Sequence, residues 1–470
     1  MAAQNITEYE RRRLENIKRN DEMLTSLKIH SKLQEISTAV KRERTQSKRY
    51  KVSPTKKPRS ETSTIIRRSL RVRGQPPDAA TINGLKDDFV ETPRKSINSK
   101  PFSKPFPPNL GPISMRDAYS SDDYDVELSE KILSASSNCE SCFDEKLEVS
   151  KMIDLDLLKL KPENIARVLP NRILSMKFLP SIDMKMIVAG NNLGNVCFWD
   201  IDSDKKGDGI YLFRPHSAPV SGIAVQSFSQ AKVFSSGYDG CVRLMDVEKE
   251  VFDLLYSSDD AIFSLGQQPN NQKSLYFGEG KGVVNVWDNN AGKSSNSWAL
   301  HESRINTIDF NPANANVMAT SSSDGTACIW DLRKMNKDKP RCIREVLHEK
   351  AVNSAYFSPS GGSLATISYD NKIGLSTGAT FENITMISHY NHTGRWISPF
   401  RAIWSWDDSS LFVGNMRRGV DVISTEQKRT ETTLQSPHLS AITCRFDIHP
   451  YHVGMLAGAT SGGQIYIWTP

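Results

Sequence analysis

The sequence predicts an all-β fold, a seven-bladed β-propeller preceded by a largely disordered, basic N-terminal arm that contains a short helix. Seven segments repeat the order of a turn rich in Gly, Asn and Asp, then a strand with alternating apolar residues, about 40 to 50 residues apart. This spacing is the period of one four-stranded propeller blade. Basic residues concentrate ahead of the repeats. The chain therefore divides into an arm and one repeat domain.

The repeat is clearest in residues 321–333, where the turn at Asp324 and Gly325 leads into a strand that ends in Trp330 and Asp331. Aspartate followed by glycine favours a tight turn between two strands, and the alternation after it favours a strand with one buried face. The other copies are residues 189–200, 235–246, 277–288, 367–376, 413–424 and 458–468.

The charge of the chain changes along its length. Residues 1–105 carry 25 Lys+Arg against 12 Asp+Glu, residues 106–150 carry 3 against 10, and the remainder carries 32 of each. A capping box at Thr7 and Glu10 precedes apolar residues at helical spacing, which predicts a helix that is either simply exposed or folds on a partner. The predicted organisation is a helical segment at 1–40, a disordered basic arm at 41–105, an acidic linker at 106–150 and the propeller at 151–470.

Two dense basic clusters, residues 41–59 and 67–74, lie in the arm. Such clusters indicate a nuclear localisation signal, nucleic-acid contact or both, and the alternative is a solvated run of charge. We favour nuclear import. Ser53 and Thr92 each stand in a Ser/Thr-Pro-x-Lys pattern, and phosphate there would weaken binding to a polyanion.

Nothing in the sequence predicts a secreted, membrane-bound or metal-binding protein. No run of about 18 apolar residues is present, and the first residues are polar, so we expect a soluble intracellular chain. The seven cysteines are scattered and do not suggest a disulfide framework. Cys139 and Cys142 form a lone CxxC without further ligands for zinc. We expect no cofactor, no metal and no small-molecule substrate.

The two ends of the repeat domain are predicted to meet. Residues 165–169 resemble an outer strand placed before the first complete blade, whereas the last copy stops at Trp468 without an outer strand of its own. The early strand would complete the last sheet and close the ring.

The Trp-Asp endings resemble the WD-repeat family. In the fourth blade, His301, Ser322, Asp324 and Trp330 stand where that family places a hydrogen-bonded set linking the strands. A hydrolase triad is the alternative for a His, a Ser and an Asp, but the chain has no nucleophile elbow, Walker loop, zinc-protease motif or dinucleotide fingerprint. The resemblance implies a structural role, and we predict that the protein is not an enzyme.

Trp330, Asp331 and Arg333 form a Trp-Asp-x-Arg ending that occurs at none of the other blade ends. It resembles the pattern of WD-repeat proteins that dock on damage-specific DNA-binding protein 1, the adaptor of cullin-4 ubiquitin ligases. An arginine after the third strand projects at a rim, where its planar cation can bind carboxylates or carbonyls. The alternative is an ordinary exposed arginine.

An enlarged loop, residues 388–401, contains Gly394, Arg395 and Trp396. Arginine beside an aromatic residue suits phosphate pairing and base stacking, and the alternative is that Trp396 packs beneath the loop. In a propeller, the loops that join blades share one face with the turns between second and third strands. The expected DNA-binding residues on this face are Arg395, Trp396, Lys281, Lys372, Arg417 and Arg418, with Arg333 on the opposite face.

The N-terminal residues 9–24, the run 67–74, the ending at 330–334 and the loop at 393–397 together resemble the family of WD repeat-containing protein 76 and the fungal changed-mutation-rate proteins. The chain is more distantly similar to damage-specific DNA-binding protein 2, which inserts a Phe-Gln-His wedge from the corresponding loop. Gly394, Arg395 and Trp396 replace that wedge here, so the lesion specificity does not carry over.

The resemblance implies a nuclear protein that binds damaged or modified DNA and serves as a substrate receptor for a cullin-4 ubiquitin ligase. The alternatives are a protein-interaction scaffold for histones or other chromatin proteins, whose arm directs import only, and an RNA-associated propeller.

Overall fold

The computed structural model describes residues 11, 15–19, 22, 109–121, 124, 126–137 and 155–470, except 204–208, 227, 228, 270, 272, 337–339 and 395. Two units are present, residues 1–97 and residues 98–470. The described residues of the first unit are helical, which confirms the short N-terminal helix. The clusters at 41–59 and 67–74, and Ser53, Thr92, Cys139, Cys142 and Arg395, lie outside the described residues. Within those residues, no helix has the length and apolarity needed to cross a membrane.

The second unit is a seven-bladed β-propeller, as the sequence predicts. Each blade is an antiparallel sheet, with its first strand facing a central channel and its fourth on the outside. In blade 4 the Asp324–Gly325 turn requires a left-handed residue, and Gly325 adopts φ 95° there without a side-chain clash. The third strand that follows is almost wholly buried. Alternating apolar residues thus pack each blade against its two neighbours.

The strands of the first four blades are as follows. Blade 1 comprises β3 (Ile173–Phe178), β4 (Met186–Asn191), β5 (Val196–Asp200) and β6 (Ile210–Phe213). Blade 2 comprises β7 (Val220–Val225), β8 (Lys232–Gly237), β9 (Cys241–Asp246) and β10 (Val251–Ser257). Blade 3 comprises β11 (Ile262–Gln267), β12 (Ser274–Glu279), β13 (Val283–Asp288) and β14 (Lys293–Ala299). Blade 4 comprises β15 (Ile305–Phe310), β16 (Val317–Ser322), β17 (Thr326–Asp331) and β18 (Arg344–Leu347).

The remaining blades complete the ring. Blade 5 comprises β19 (Val352–Phe357), β20 (Ser363–Ser368), β21 (Lys372–Thr377) and β22 (Asn383–Ser388). Blade 6 comprises β23 (Ile403–Trp404), β24 (Ser410–Gly414), β25 (Val420–Ser424) and β26 (Arg429–Leu434). Blade 7 comprises β27 (Thr443–Ile448), β28 (Leu456–Thr460), β29 (Gln464–Thr469) and β2 (Lys159–Arg167). Single 3-10 turns cover Leu155–Leu157 and Leu332–Lys334.

Blade 7 is built from both ends of the repeat domain. Strand β2 pairs antiparallel with β29, with Ile165 opposite Tyr466 and Leu160 opposite Trp468. Leu160 and Trp468 are 7% and 1% exposed and belong to one apolar cluster. The predicted closure is therefore present, and the strand begins earlier, at Lys159.

The hydrogen-bonded set of blade 4 uses a different hydroxyl from the one the sequence suggested. His301 Nδ1 lies 3.0 Å from Asp324 Oδ2, and its Nε2 lies 2.7 Å from Thr320 Oγ1, which also accepts a 2.8 Å hydrogen bond from Trp330 Nε1. Ser322 instead donates to the Ser303 carbonyl. The assignment of Ser322 was wrong because Thr320, two residues earlier on the same face of β16, lies diagonally across from Trp330.

Equivalent sets support blades 2 and 5, where His216 and His348 bridge an aspartate to a hydroxyl. Burial lowers the pKa of His301 and His348, so both rings stay neutral at pH 7. These neutral rings lie inside the sheets and satisfy buried polar groups. Because the same set recurs in blades 2, 4 and 5, these histidines have a structural role in the blade.

The acidic segment differs from the predicted linker. It forms β1 (Ile113–Ser114), α1 (Met115–Ala118) and α2 (Glu127–Ser137). Strand β1 pairs with the outer strand β10, making blade 2 five-stranded. Leu128 and Ile132, on one face of α2, pack into the apolar cluster shared by blades 1 and 2. The linker prediction rested on the excess of acidic residues in this segment and did not consider the helical spacing of its apolar residues.

A buried histidine in the loop that follows β27 of blade 7 is expected to make folding sensitive to acid. His449 is fully buried, its Nδ1 accepts hydrogen bonds from the backbone N–H groups of Tyr451 and His452, and burial lowers its pKa to about 3. A histidine in the unfolded chain binds a proton near pH 6.5, whereas the folded protein holds His449 neutral. The contribution of His449 to the free energy of unfolding is therefore fully present above pH 6.5 and decreases as the pH falls towards 3. His449 alone should remove roughly 2 kcal/mol between pH 7 and pH 5.

Urea unfolding at pH 7 and pH 5 tests this expectation. In His449→Asn the amide oxygen can replace Nδ1 as acceptor without titrating, so the loss at pH 5 should shrink by that amount. An equal loss in the variant and the natural protein would assign the acid sensitivity to other groups.

Candidate nucleic-acid interface

The enlarged loop between blades 5 and 6 lies on the face that carries the blade-joining loops, here called the blade-joining face. Asn391, Thr393, Ser398 and Phe400 are each fully buried, whereas Trp396 is 87% exposed. Ser398 N donates a 3.0 Å hydrogen bond to Ser461 Oγ in blade 7. The loop is thus anchored on both sides of an aromatic tip that projects into solvent, which excludes packing of Trp396 beneath it.

Hydrogen bonds join this loop to the neighbouring turns. Asn391 Nδ2 donates to the Lys372 carbonyl, and Asn391 Oδ1 lies 2.6 Å from His389 Nδ1. His389 Nε2 lies 3.0 Å from Asp421 Oδ2, and Asp421 Oδ1 accepts a 2.6 Å hydrogen bond from Asn415 Nδ2. The network fixes the loop between the Lys372 turn of blade 5 and the turn of blade 6 that follows Asn415.

The blade 6 turn presents two arginines. Asn415 Oδ1 accepts hydrogen bonds from the N–H groups of Arg417 and Gly419, and Arg418 adopts φ 62° at the apex. Both arginines are exposed, and neither makes an ion pair with a residue that the structure describes. Their guanidinium groups are therefore available to an anion.

Lys281 and Lys372 differ from these arginines because each faces a carboxylate on the same face. Lys281 Nζ lies 2.8 Å from Asp260, and Lys372 Nζ lies 2.8 Å from Glu349. Lys281 also stands on blade 3, outside the hydrogen-bonded network around the loop. The structure thus brings together Lys372, Trp396, Arg417 and Arg418, while Lys281 shares only the face.

Sequence reasoning missed Arg172, in the turn that joins blade 7 to blade 1. Its Nη2 donates a 2.8 Å hydrogen bond to the Trp396 carbonyl, so a cation lies at the base of the exposed indole. Its position immediately before β3 was the available signal, because every blade-joining turn lies on this face.

Aromatic residues extend the same face over blades 2 to 4. The rings of Tyr238 and Phe263 lie 4.6 Å apart, and the Arg304 guanidinium stands 5.2 Å above the Phe263 ring. Tyr238 is 38% exposed. A cation over an aromatic pair offers both charge and a flat apolar surface.

The Trp-Asp-x-Arg ending lies on the opposite face. Trp330 is 3% exposed and Asp331 is 6% exposed, so both belong to the blade. Asp331 accepts hydrogen bonds from the N–H, Nε and Nη2 of Arg333, which lower the pKa of its carboxyl group. Arg333 itself is 61% exposed. Of the three residues predicted to bind the adaptor, Arg333 is the one that can touch a partner.

Comparisons with known proteins agree with this architecture. Residues 292–331 match the family model of the WD domain, G-beta repeat. The chain is 29% identical to WD repeat-containing protein 76 of Xenopus laevis, over 98% of this chain and 80% of the relative. It is 24% identical to DNA damage-binding protein cmr1 of Aspergillus clavatus, over 98% of each chain. It is 27% identical to DNA damage-binding protein CMR1 of Scheffersomyces stipitis, over 98% of this chain and 99% of the relative. These relatives confirm the resemblance to WD repeat-containing protein 76 and the fungal changed-mutation-rate proteins.

Proposed function

We propose that this WD-repeat propeller, homologous to proteins named WD repeat-containing protein 76 and DNA damage-binding protein CMR1, is a nuclear, non-enzymatic DNA-binding protein. It recognises damaged or modified DNA and serves as a substrate receptor of a cullin-4 ubiquitin ligase. The observation that carries the DNA-binding proposal is the exposed Trp396, held on an anchored loop among cationic side chains.

The arrangement suits a DNA strand with an accessible base. Arg417 and Arg418 would bind phosphate groups beside the loop, and Arg172 adds positive charge beneath it. The indole of Trp396 would stack on a base or enter between two bases, which requires least energy where pairing is already weakened. Lys281 and Lys372 would exchange Asp260 and Glu349 for phosphate, since exposed ion pairs contribute little stability.

DNA affinity measured across a salt series tests the proposal. With full-length protein and duplexes before and after ultraviolet irradiation, Trp396→Ala should weaken binding roughly 5- to 150-fold, the value of one base stack. Replacing Arg417 and Arg418 with glutamine should lower the slope of log affinity against log salt by about 0.9 for each lost phosphate contact.

Arg429→Gln is the matched control, because this arginine is exposed on the outer strand of the same blade. It should leave affinity and slope unchanged. If Trp396→Ala also leaves the affinity for both duplexes unchanged, the ring does not read DNA, and the scaffold for histones or other chromatin proteins becomes the better interpretation. Stronger competition by RNA than by DNA would favour the RNA-associated alternative.

The adaptor proposal rests on Arg333, which Asp331 holds at the face opposite Trp396. A guanidinium fixed by a carboxylate loses little side-chain freedom when it binds a partner. Arg333→Ala should weaken binding to damage-specific DNA-binding protein 1 at least tenfold in a pull-down or calorimetric assay, as for a central interface arginine. DNA affinity should not change, because the two surfaces lie on different faces.

Lys334→Ala is the control for this variant, since Lys334 is the adjacent exposed cation, with an 81% exposed side chain. It should retain the adaptor. Undiminished adaptor binding by Arg333→Ala would show that the Trp-Asp-x-Arg ending has no docking role here.

A further inference from the structure

The central channel of the propeller contains charged side chains that are not among the DNA-binding residues proposed above. A cavity of about 610 Å³ runs along the inner strands. Each inner strand begins at the blade-joining face, so residues early in these strands lie at that mouth of the channel. Arg401 and Arg445 lie there, and we call them the channel-mouth pair.

Arg445 is 8% exposed and is held by backbone carbonyls alone. Its Nε donates a 2.7 Å hydrogen bond to the Leu174 carbonyl, and its Nη1 donates to the carbonyls of Pro399 and Cys444. Burial and the nearby Arg401 guanidinium lower the pKa of Arg445 to about 9, which leaves it charged at pH 7. A buried cation held only by neutral acceptors favours an anion beside it.

Arg401 has the same kind of surroundings. Its Nη2 donates a 3.0 Å hydrogen bond to the Asn306 carbonyl, and its Nη1 lies 3.5 Å from the Tyr356 hydroxyl. Within the described part of the chain, no carboxylate pairs with either arginine, and neither Nη2 of Arg445 nor Nε of Arg401 has an acceptor. Two adjacent guanidinium groups thus keep unused donors facing one cavity.

The acidic groups of the channel lie further from the mouth and have partners. Asp447 follows Arg445 by two residues along β27, a distance of about 7 Å. It lies 2.8 Å from Lys177 Nζ and accepts a 2.8 Å hydrogen bond from Phe178 N. Asp309 accepts a 2.8 Å hydrogen bond from Phe357 N. Among the channel residues that the structure describes, no acidic group therefore neutralises the positive charge of the channel-mouth pair.

We propose that the channel-mouth pair is a binding site for a phosphate group. Two planar guanidinium groups match the several oxygens of one phosphate, which can accept from both at once. The Tyr356 hydroxyl adds a further polar group at this site. The phosphate belongs either to a small phosphorylated molecule that enters the channel or to a DNA strand lying on the blade-joining face. Phosphate binding by the free protein does not depend on the DNA-binding proposal.

Calorimetric titration of the full-length protein with inorganic phosphate, at constant ionic strength in a phosphate-free buffer, tests this site. The natural protein should bind phosphate, and Arg401→Gln should bind it at least about tenfold more weakly because a charge-assisted contact is lost. Arg445→Lys, which keeps the charge but loses the planar fork, should also weaken binding. Arg429→Gln, on the outer strand of the same blade as Arg401, should bind as the natural protein does.

The proposal is overturned if the natural protein shows no binding of phosphate, or if Arg401→Gln and Arg445→Lys, folded by circular dichroism, bind it as tightly as Arg429→Gln. Competition then identifies the source of the phosphate. Displacement by duplex DNA, with DNA affinity lowered in Arg401→Gln, would assign the site to a DNA phosphate. Binding of a nucleoside monophosphate or an inositol polyphosphate that DNA does not displace would assign it to a small molecule, even if the ring does not bind DNA.

Discussion

Deletion of residues 159–167 is expected to prevent most of the protein from remaining folded. These residues form β2, the outer strand of blade 7, so the deletion exposes the edge of β29 and uncovers Trp468 and Tyr466. It also removes the strand through which the N-terminal end of the ring pairs with the last blade. The expected loss is comparable with the whole stability of a typical domain, roughly 5 to 15 kcal/mol, because the strands of the ring stabilise one another.

Urea unfolding followed by circular dichroism would measure this loss, with deletion of Pro470 as the control, since that exposed residue lies beyond β29. Leu160→Ala is the milder test within the same strand and should cost about 2 to 5 kcal/mol. An unchanged unfolding midpoint in the deletion variant would mean that the ring is stable without its closing strand.

Loss of the apolar face of α2 should be the next largest effect. Ile132→Ala and Leu128→Ala should each lower the free energy of unfolding by about 2 to 5 kcal/mol, because both side chains are fully buried in the cluster of blades 1 and 2. Lys131, on the same helix, lies 2.6 Å from Asp200 at the end of β5 and fixes the position of the helix.

Glu130→Ala is the control, since Glu130 is exposed on the same helix, and it should change stability by no more than about 0.5 kcal/mol. Comparable urea midpoints for Ile132→Ala and Glu130→Ala would contradict the docking of α2.

The packing of α2 on the ring also determines at which residue a truncated protein can begin. A fragment starting at residue 151 would lack β1, α1 and α2, so studies of the ring without its arm should start before residue 109.

The repeats made the propeller predictable, because few other folds are compatible with a strand pattern that recurs once per blade length. The closing strand was predictable for the same reason, since the last repeat lacked one strand and an extra strand preceded the first. The short elements at 113–137 were not predictable in this way. They occur once, their apolar residues stand among acidic ones, and the surface they cover is created only when blades 1 and 2 have folded.

For the candidate nucleic-acid interface, the sequence predicts which residues share one face of the propeller, but it does not predict the contacts that their side chains make. Topology assigns Trp396, Lys372 and Arg417 to one face, but the neutralisation of Lys372 by Glu349 depends on side-chain geometry. Trp330 illustrates the opposite difficulty. The motif that contains Arg333 also includes a tryptophan that the blade needs for its own core, and sequence alone does not separate a docking residue from a structural one.

The pairing of β2 with β29 also means that the ring can close only after the last strand of the chain has been synthesised. The ribosome makes β2 roughly 300 residues before its partner, which at about 5 to 20 residues per second takes on the order of 15 to 60 s. During that interval the strand, which carries the apolar side chains of Leu160 and Ile165, has no edge to join. A growing chain with unpaired strands is open to association with its neighbours, so nascent chains of this protein should depend on chaperones until the ring can close.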